Sequence, residues 1–380
     1  MTVLLPPATI GIIGGGQLGR MMAISAKQMG FRIAVLDPDK EGPAAQVADH
    51  VIAAPYSDME AAKALADISD RITYEFENID STVLEWLEQN GKLVQSASLL
   101  QLTQHRVKEK RAIEKSGCQV ASYRAVATMA DLDDGLAALG FPAVLKTCTG
   151  GYDGKGQHVI RSAEDIKDAG ELLTKGDCVL EQWVPFQAEV SVIVTRSTDG
   201  EVQTFPVAEN KHIHNILAVT QVPAQFDQTV LDHAEQLARQ LARELKLVGT
   251  LAVEMFVTED EQLLINELAP RPHNSGHFSI EGCETSQFEQ HIRAICGWPL
   301  GSTVLRQPSA MINVLGQHLP HVLEGVKTFS PHAHLHLYGK EEARAQRKMG
   351  HVTITAHCLD TVHKEAAALE DALYRQENGG

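Results

Sequence analysis

Residues 251–277 read LAVEMFVTEDEQLLINELAPRPHNSGH, two apolar strands around a polar turn followed by a loop rich in proline and polar side chains. If the turn is centred on Asp260 and Glu261, Glu254 on the first strand lies opposite Glu267 on the second, and both side chains leave the same face. Two carboxylates so placed repel, so this face either holds a cation or turns to solvent. An all-oxygen donor set suits magnesium better than zinc. The loop that follows, with Arg271, His273 and Asn274 directly after the second acid, favours a site over a solvated edge hairpin.

The 380 residues exceed one ordinary core and suggest two or three domains. A formal charge of -16 argues against a nucleic-acid or anionic-membrane partner, so an anionic substrate needs a local basic pocket. The cysteines (118, 148, 178, 283, 296 and 358) form no CxxC pair and no metal spacing, which fits reduced thiols and a cytoplasmic protein. No apolar run approaches the roughly 20 residues of a membrane span, and the start lacks a signal-peptide pattern.

The first hundred residues alternate between strand and helix. Thr9–Ile13, a glycine turn, an apolar-spaced helix over 17–29 and Arg32–Leu36 make a βαβ unit. A further strand at Arg71–Tyr74 ends in Glu75. Gly14, Gly16 and Gly19 satisfy GxGxxG, and Asp37 follows near the distance of a ribose-binding acid. By itself this pattern suggests an NAD enzyme; the bland alternative is a tight turn with no ligand.

A boundary falls between Val94 and Lys115. A charged helix over 101–116, carrying Arg106, Lys108, Lys110 and Arg111, reads as a solvated face. Beyond it, a strand over 141–147 carries Lys146 and pairs with one over 157–161, and Gly150, Gly151, Gly154 and Gly156 lie between them. Such a loop lets backbone amides approach an anion while Lys146 and Lys155 supply positive charge, a phosphate lid and not a Walker loop, which would open a helix. A strand at Cys178–Gln182 breaks into an apolar linker through Trp183 and Val184; Glu181 and Glu189 are placed there for a purine's exocyclic amine and for ribose hydroxyls. The helix over 229–246 is amphipathic and structural.

Taken together, Lys146, the glycine lid, the 181–184 linker, Glu189, Asn266 and the Glu254–Glu267 pair resemble the ATP-grasp superfamily. The strings GGGQLGRMM, YEFEN, KTCTGGYDGKGQ, INELAPRPHNSGH and YGK with RKMGH are similar, over nearly the whole chain, to the N5-carboxyaminoimidazole ribonucleotide synthetase family of purine biosynthesis. The resemblance implies a mixed α/β and α+β fold. An N-terminal Rossmann-like domain would span 1–100, an ATP-grasp domain 101–300 with its lid near 148–157, and a small β-rich cap 301–380. It implies ATP and magnesium as cofactors, with bicarbonate and aminoimidazole ribonucleotide as substrates, carboxyphosphate as intermediate and a homodimer as assembly. By this analogy Glu254 and Glu267 hold magnesium; Arg106, Lys146, Lys155, Glu181, Gln182, Trp183, Val184, Glu189 and Asn266 bind ATP. Arg271, His273, Asn274 and Lys340 serve catalysis. Gln17, Leu18, Glu75, Tyr152, Asp153, Lys340 and Arg347 bind the ribonucleotide. The opening glycine motif then serves the ribonucleotide site and no nicotinamide is used. Two departures are visible: His105 precedes Arg106 where relatives often have Asp, and Cys148-Thr149 fill lid-base positions that in several relatives include a basic residue. A formate-dependent sister ligase and a non-catalytic nucleotide-binding module are the other classes the pattern admits. His332, His334 and His336, and likewise His212 and His214, share strand faces without a carboxylate or thiol at ligand spacing, so no metal is assigned to them.

Overall fold

The computed structural model describes residues 2–151 and 155–374. The strands are, in chain order, β1 (Thr9–Ile13), β2 (Arg32–Leu36), β3 (His50–Ile52), β4 (Arg71–Tyr74), β5 (Tyr123–Val126), β6 (Ala143–Thr147), β7 (Gln157–Ile160), β8 (Cys178–Gln182), β9 (Phe186–Arg196), β10 (Val202–Thr204), β11 (Ala208–Ile213), β12 (Ile216–Val222), β13 (Gly249–Thr258), β14 (Leu263–Ala269), β15 (Ser309–Leu315), β16 (Ala333–Leu337) and β17 (Lys348–Thr355). They form three sheets.

The first is parallel, ordered β3-β2-β1-β4. Its strands are near-continuous apolar runs because both faces are covered: Ile10, Ile12, Ile13 and Ile33 to Leu36 are all fully buried. Helices Gln17–Gln28 and Met59–Ile68 make those crossovers. The second sheet, antiparallel, is nine-stranded and ordered β14-β13-β9-β11-β12-β15-β17-β16, with β10 beside β9. One face of it is covered by the helix Gln228–Glu244 through Val230, Ala234, Leu237 and Leu241, as its periodicity predicts. The third, β5-β8-β6-β7, is a small antiparallel sheet that carries the glycine loop between β6 and β7.

Two expectations change. The charged segment is two helices, Ala97–Thr103 and Arg106–Lys115, and the second is no solvated face, since Glu109 and Lys110 are 3% and 1% exposed. The strands of the C-terminal cap extend the central sheet, β15 pairing with β12. The last helix spans Leu359–Tyr374. The hairpin turn is one residue tighter than assumed, so Val257 pairs with Leu263, and a bulge between Glu254 and Met255 restores Glu254 opposite Glu267.

Candidate active site

The bulge leaves Asn266 as the extra residue of β14. Its Oδ1 is buried with no partner among the described residues, next to the facing acids. Glu267 Oε2 accepts from Arg106 Nη1 at 3.2 Å, and Glu254 Oε1 lies 3.2 Å from His273 Nε2. Glu267's side chain is 41% exposed yet closely surrounded by charged groups, so the pair lines a cleft rather than an open face. Burial would raise its pKa, but Arg106 and Lys146 outweigh that and pull it below the usual carboxylate value. Glu254 goes the other way: burial first, then the charge of Glu267, push it up to about 8. Without a cation the pair therefore favours holding a proton, which a divalent ion would displace.

Arg106 opens its helix, and its backbone amide donates to the carbonyl of Cys148 at the lid base. Four residues on, on the same helical side, Lys110 enters the interior. Its Nζ lies 3.1 Å from Glu181 Oε1, while Lys146 Nζ on β6 lies 2.9 Å from Glu181 Oε2. Burial alone would raise Glu181, but the two lysines bring it down to about 2. This carboxylate is thus enclosed between cations and does not present itself to a purine amine, which corrects the role given to it above. Gln182 and Trp183 send their amides to the carbonyls of Ser122 and Pro142 at 2.8 and 3.2 Å, fixing the linker's path past Val184. Glu189 Oε2 is 3.2 Å from His212 Nδ1. Burial would depress His212, yet Glu189 raises its pKa.

In the lid, Gly150 and Gly156 have φ of +76° and +74°, and a Cβ on Gly151 would sit 2.8 Å from the carbonyl oxygen of Lys155. The same Cβ would be 3.7 Å from Arg106 Nη2, so the loop's start hangs over the cradle. Tyr152 and Asp153 lie outside the described residues.

The N-terminal glycine turn is closed from within. Asp37 Oδ2 accepts from Gly15 N at 2.5 Å and from the Tyr56 hydroxyl at 2.6 Å, and Glu75 Oε1 accepts from Gly16 N at 2.6 Å. Glu75 therefore occupies the helix terminus where a pyrophosphate would rest, and Asp37 is committed elsewhere, so the dinucleotide reading fails on charge and on space. Leu18's side chain is core, so any contact from it is by backbone; Gln17 is half-buried at the first helical position. Arg271 Nε pairs with Glu77 at 2.9 Å, and both amide atoms of buried Asn274 lack partners among the described residues. Lys340 Nζ donates to the Lys348 carbonyl at 2.7 Å, and Arg347 to that of Glu342 at 3.1 Å.

Residues 7–104 match the ribonucleotide synthetase preATP-grasp domain family, 111–288 the ATP-grasp domain family, and 309–365 the phosphoribosylaminoimidazole carboxylase C-terminal domain family. The chain is 55% identical over 351 residues to N5-carboxyaminoimidazole ribonucleotide synthase of Bacillus subtilis (strain 168), covering 92% of each. It belongs to the N5-carboxyaminoimidazole ribonucleotide synthase family. Identity to the Staphylococcus aureus (strain COL) synthase is 41%, over 95% of this chain and 96% of that one. Among solved structures, the ADP complex of an N5-carboxyaminoimidazole ribonucleotide synthetase superposes with a TM-score of 0.96 at 55% identity, covering both chains fully. The Aspergillus clavatus synthase in complex with ADP and 5-aminoimidazole ribonucleotide gives 0.91 at 33% identity, covering 97% and 99%.

The ATP-grasp frame of this family brings Arg106, Lys146, Glu254, Asn266, Glu267 and His273 together. Sequence reasoning missed Lys110, though its i+4 spacing from Arg106 was a usable signal. It weighed His212 only as a metal ligand, beside a His214 that in fact lies in a left-handed turn with φ of 51°. Lys348 on β17 was missed as well; its charge depresses Glu254 and His273, after larger influences on each. His336 has a carboxylate, Glu281 Oε1, at 2.6 Å, but no group of three possible ligands converges among the described residues.

Proposed function

We propose that this chain carboxylates 5-aminoimidazole ribonucleotide with bicarbonate, converting ATP to ADP and phosphate, and so makes N5-carboxyaminoimidazole ribonucleotide for purine biosynthesis. The observation that carries the reading is the pair Glu254 and Glu267 facing each other beside Arg106, at the base of a glycine lid. The donors fit magnesium: two carboxylates and an orphaned amide oxygen, with excess negative charge. Glu254, Glu267 and Asn266 would hold the ion. Bound there, it would neutralise charge that builds on the phosphates during transfer.

Arg106, Lys146 and Lys155 orient the γ-phosphoryl group toward bicarbonate, a poor electrophile until phosphorylated. Phosphoryl transfer gives carboxyphosphate and ADP. Asn274 and Arg271 bind that short-lived species away from water. The ribonucleotide's amine then forms the new N–C bond, the C–O bond to phosphate breaks, and the departing phosphate takes the amine proton. Glu189 and His212 support the ribose of ATP, and Lys340 and Arg347 the phosphate of the ribonucleotide. Gln17 and the backbone of Leu18 form the other wall of that nucleotide's site, while Glu75 is held on the Gly16 amide. We place the enzyme in the cytoplasm as a homodimer; no helix among the described residues is long and apolar enough to cross a membrane.

The test is ADP release with magnesium, bicarbonate and ATP, with and without aminoimidazole ribonucleotide. Bicarbonate-dependent release that the ribonucleotide stimulates is expected. Release driven by formate with glycinamide ribonucleotide, or binding of NADH in place of ATP, would overturn the reading.

A further inference from the structure

A chain of polar side chains crosses the interior of the central sheet and ends on His273. Thr220 on β12 donates its hydroxyl to Asn210 Oδ1 at 2.9 Å. Asn210 Nδ2 on β11 donates to Ser191 Oγ on β9 at 2.9 Å, and Ser191 Oγ donates to Ser275 Oγ at 2.8 Å. Ser275 Oγ lies 3.0 Å from His273 Nδ1, and His273 Nε2 lies 3.2 Å from Glu254 Oε1. Thr220, Ser191 and Ser275 are 0% exposed and Asn210 is 9%, set among buried valines and alanines of the same strands. Four polar side chains in such a place must satisfy one another, and the order in which they do so is not arbitrary.

One group sets the direction. The backbone N–H of Ser275 points at His273 Nδ1, at 3.4 Å, and a backbone amide can only donate. Nδ1 is therefore an acceptor. The Ser275 hydroxyl, also at Nδ1, must donate to it and is left to accept from Ser191. Ser191 must in turn accept from an N–H, which fixes the orientation of the Asn210 amide. The ring is then neutral, with its proton on Nε2, aimed at Glu254.

We propose that Ser275, Ser191, Asn210 and Thr220 are positioning residues that hold His273 as the Nε2–H tautomer, so that His273 orients Glu254 toward the divalent cation accompanying ATP. The inference rests on the proposed function for the cation's role and on geometry alone for the tautomer. A neutral imidazole suits the task better than a cation would. It ties down one carboxylate oxygen by a hydrogen bond while leaving the full negative charge of the Glu254–Glu267 pair for the metal, where an imidazolium would cancel part of it. An imidazole held by a hydrogen bond at its other nitrogen is the common means of fixing such a donor.

The experiment reads the imidazole 15N signature of His273 in metal-free protein labelled at histidine nitrogen, assigned by its loss in His273→Gln. The wild type should show Nε2 protonated and Nδ1 as the bare acceptor. Ser275→Ala should move the ring toward a mixture of tautomers, and Ser191→Ala should do so less. In ADP-release assays the magnesium requirement of Ser275→Ala should rise by about 10–100-fold, with a smaller drop in kcat at saturating magnesium. A wild-type ring protonated on Nδ1 overturns the inference even if the variants do not fold. Ser275→Ala with an unchanged tautomer and an unchanged magnesium requirement overturns it too. If the tautomer and its shift are as stated but the protein forms no ADP from ATP and bicarbonate, the proposed function has failed and the assignment of His273's proton stands.

Discussion

Glu267→Gln removes one charge from the facing pair and keeps its shape. The Cβ atoms of directly opposed cross-strand residues lie roughly 5 Å apart, and two like charges at about that separation in an effective dielectric near 20 repel by about 3 kcal/mol. The attraction between Glu267 and Arg106 at 3.2 Å is about 5 kcal/mol on the same scale. Both figures shrink because Glu267's side chain is 41% exposed and water screens it. Buried Glu109 adds to the repulsive side: burial, then the charge of Glu267, raise it to about 8. Loss of the Arg106 pair and relief of Glu254 and Glu109 nearly offset each other, so the melting temperature should move by less than about 3 °C. Catalysis has no such compensation. The variant should lose at least about 100-fold in kcat/KM, or about 2.7 kcal/mol, in a coupled ADP-release assay titrated with magnesium. Turnover within about tenfold of the wild type, with the same magnesium dependence, would refute the metal assignment and with it the ATP site.

Glu181→Gln leaves Lys110 and Lys146 unpaired in the interior and should cost about 3–5 kcal/mol by denaturant titration; a cost under about 1 kcal/mol would show that the enclosed triad is not what holds β8 to the Arg106 helix. Because Glu181 titrates near 2 when folded and in the ordinary carboxylate range when unfolded, its stabilisation is present above the unfolded value and lost as pH falls through the folded one. Wild type should thus show a steeper acid loss of stability than Glu181→Gln over that window. His291 is fully buried, accepts from Thr250 N at 3.1 Å and contacts the Thr73 hydroxyl at 2.8 Å. Burial lowers its pKa to about 3, so stability should fall as pH drops from the unfolded histidine value toward that point, and His291→Gln should flatten the slope in melts at several pH values. Gly15→Ala would place a Cβ 2.6 Å from Asp37 Cγ and should lower the melting temperature; Asp37→Ala in the same chain should recover part of the loss, and strict additivity of the two would contradict the close approach.

Much of the site was legible because the relevant contacts are local. Glu254 and Glu267 face each other across a hairpin whose register is set within twenty residues, and the misplaced turn and the bulge at Asn266 cancelled. The glycine lid, the βαβ opening and the amphipathic Gln228–Glu244 helix follow from backbone freedom and periodicity alone. The fate of individual charges was not legible. Arg106, Lys108, Lys110 and Arg111 look alike in a sequence, yet Lys110 is buried against Glu181, a residue 71 positions away. Asp37 and Glu75 sit at strand ends where ligands bind, but the fold turns both inward onto glycine amides. Ser191, Asn210, Thr220 and Ser275 carry no pattern at all until three strands and a loop meet. Period and turn chemistry act between neighbours along the chain and so determined the elements; whether a charge is solvated or enclosed depends on which distant element covers it, and that only the packed structure decided.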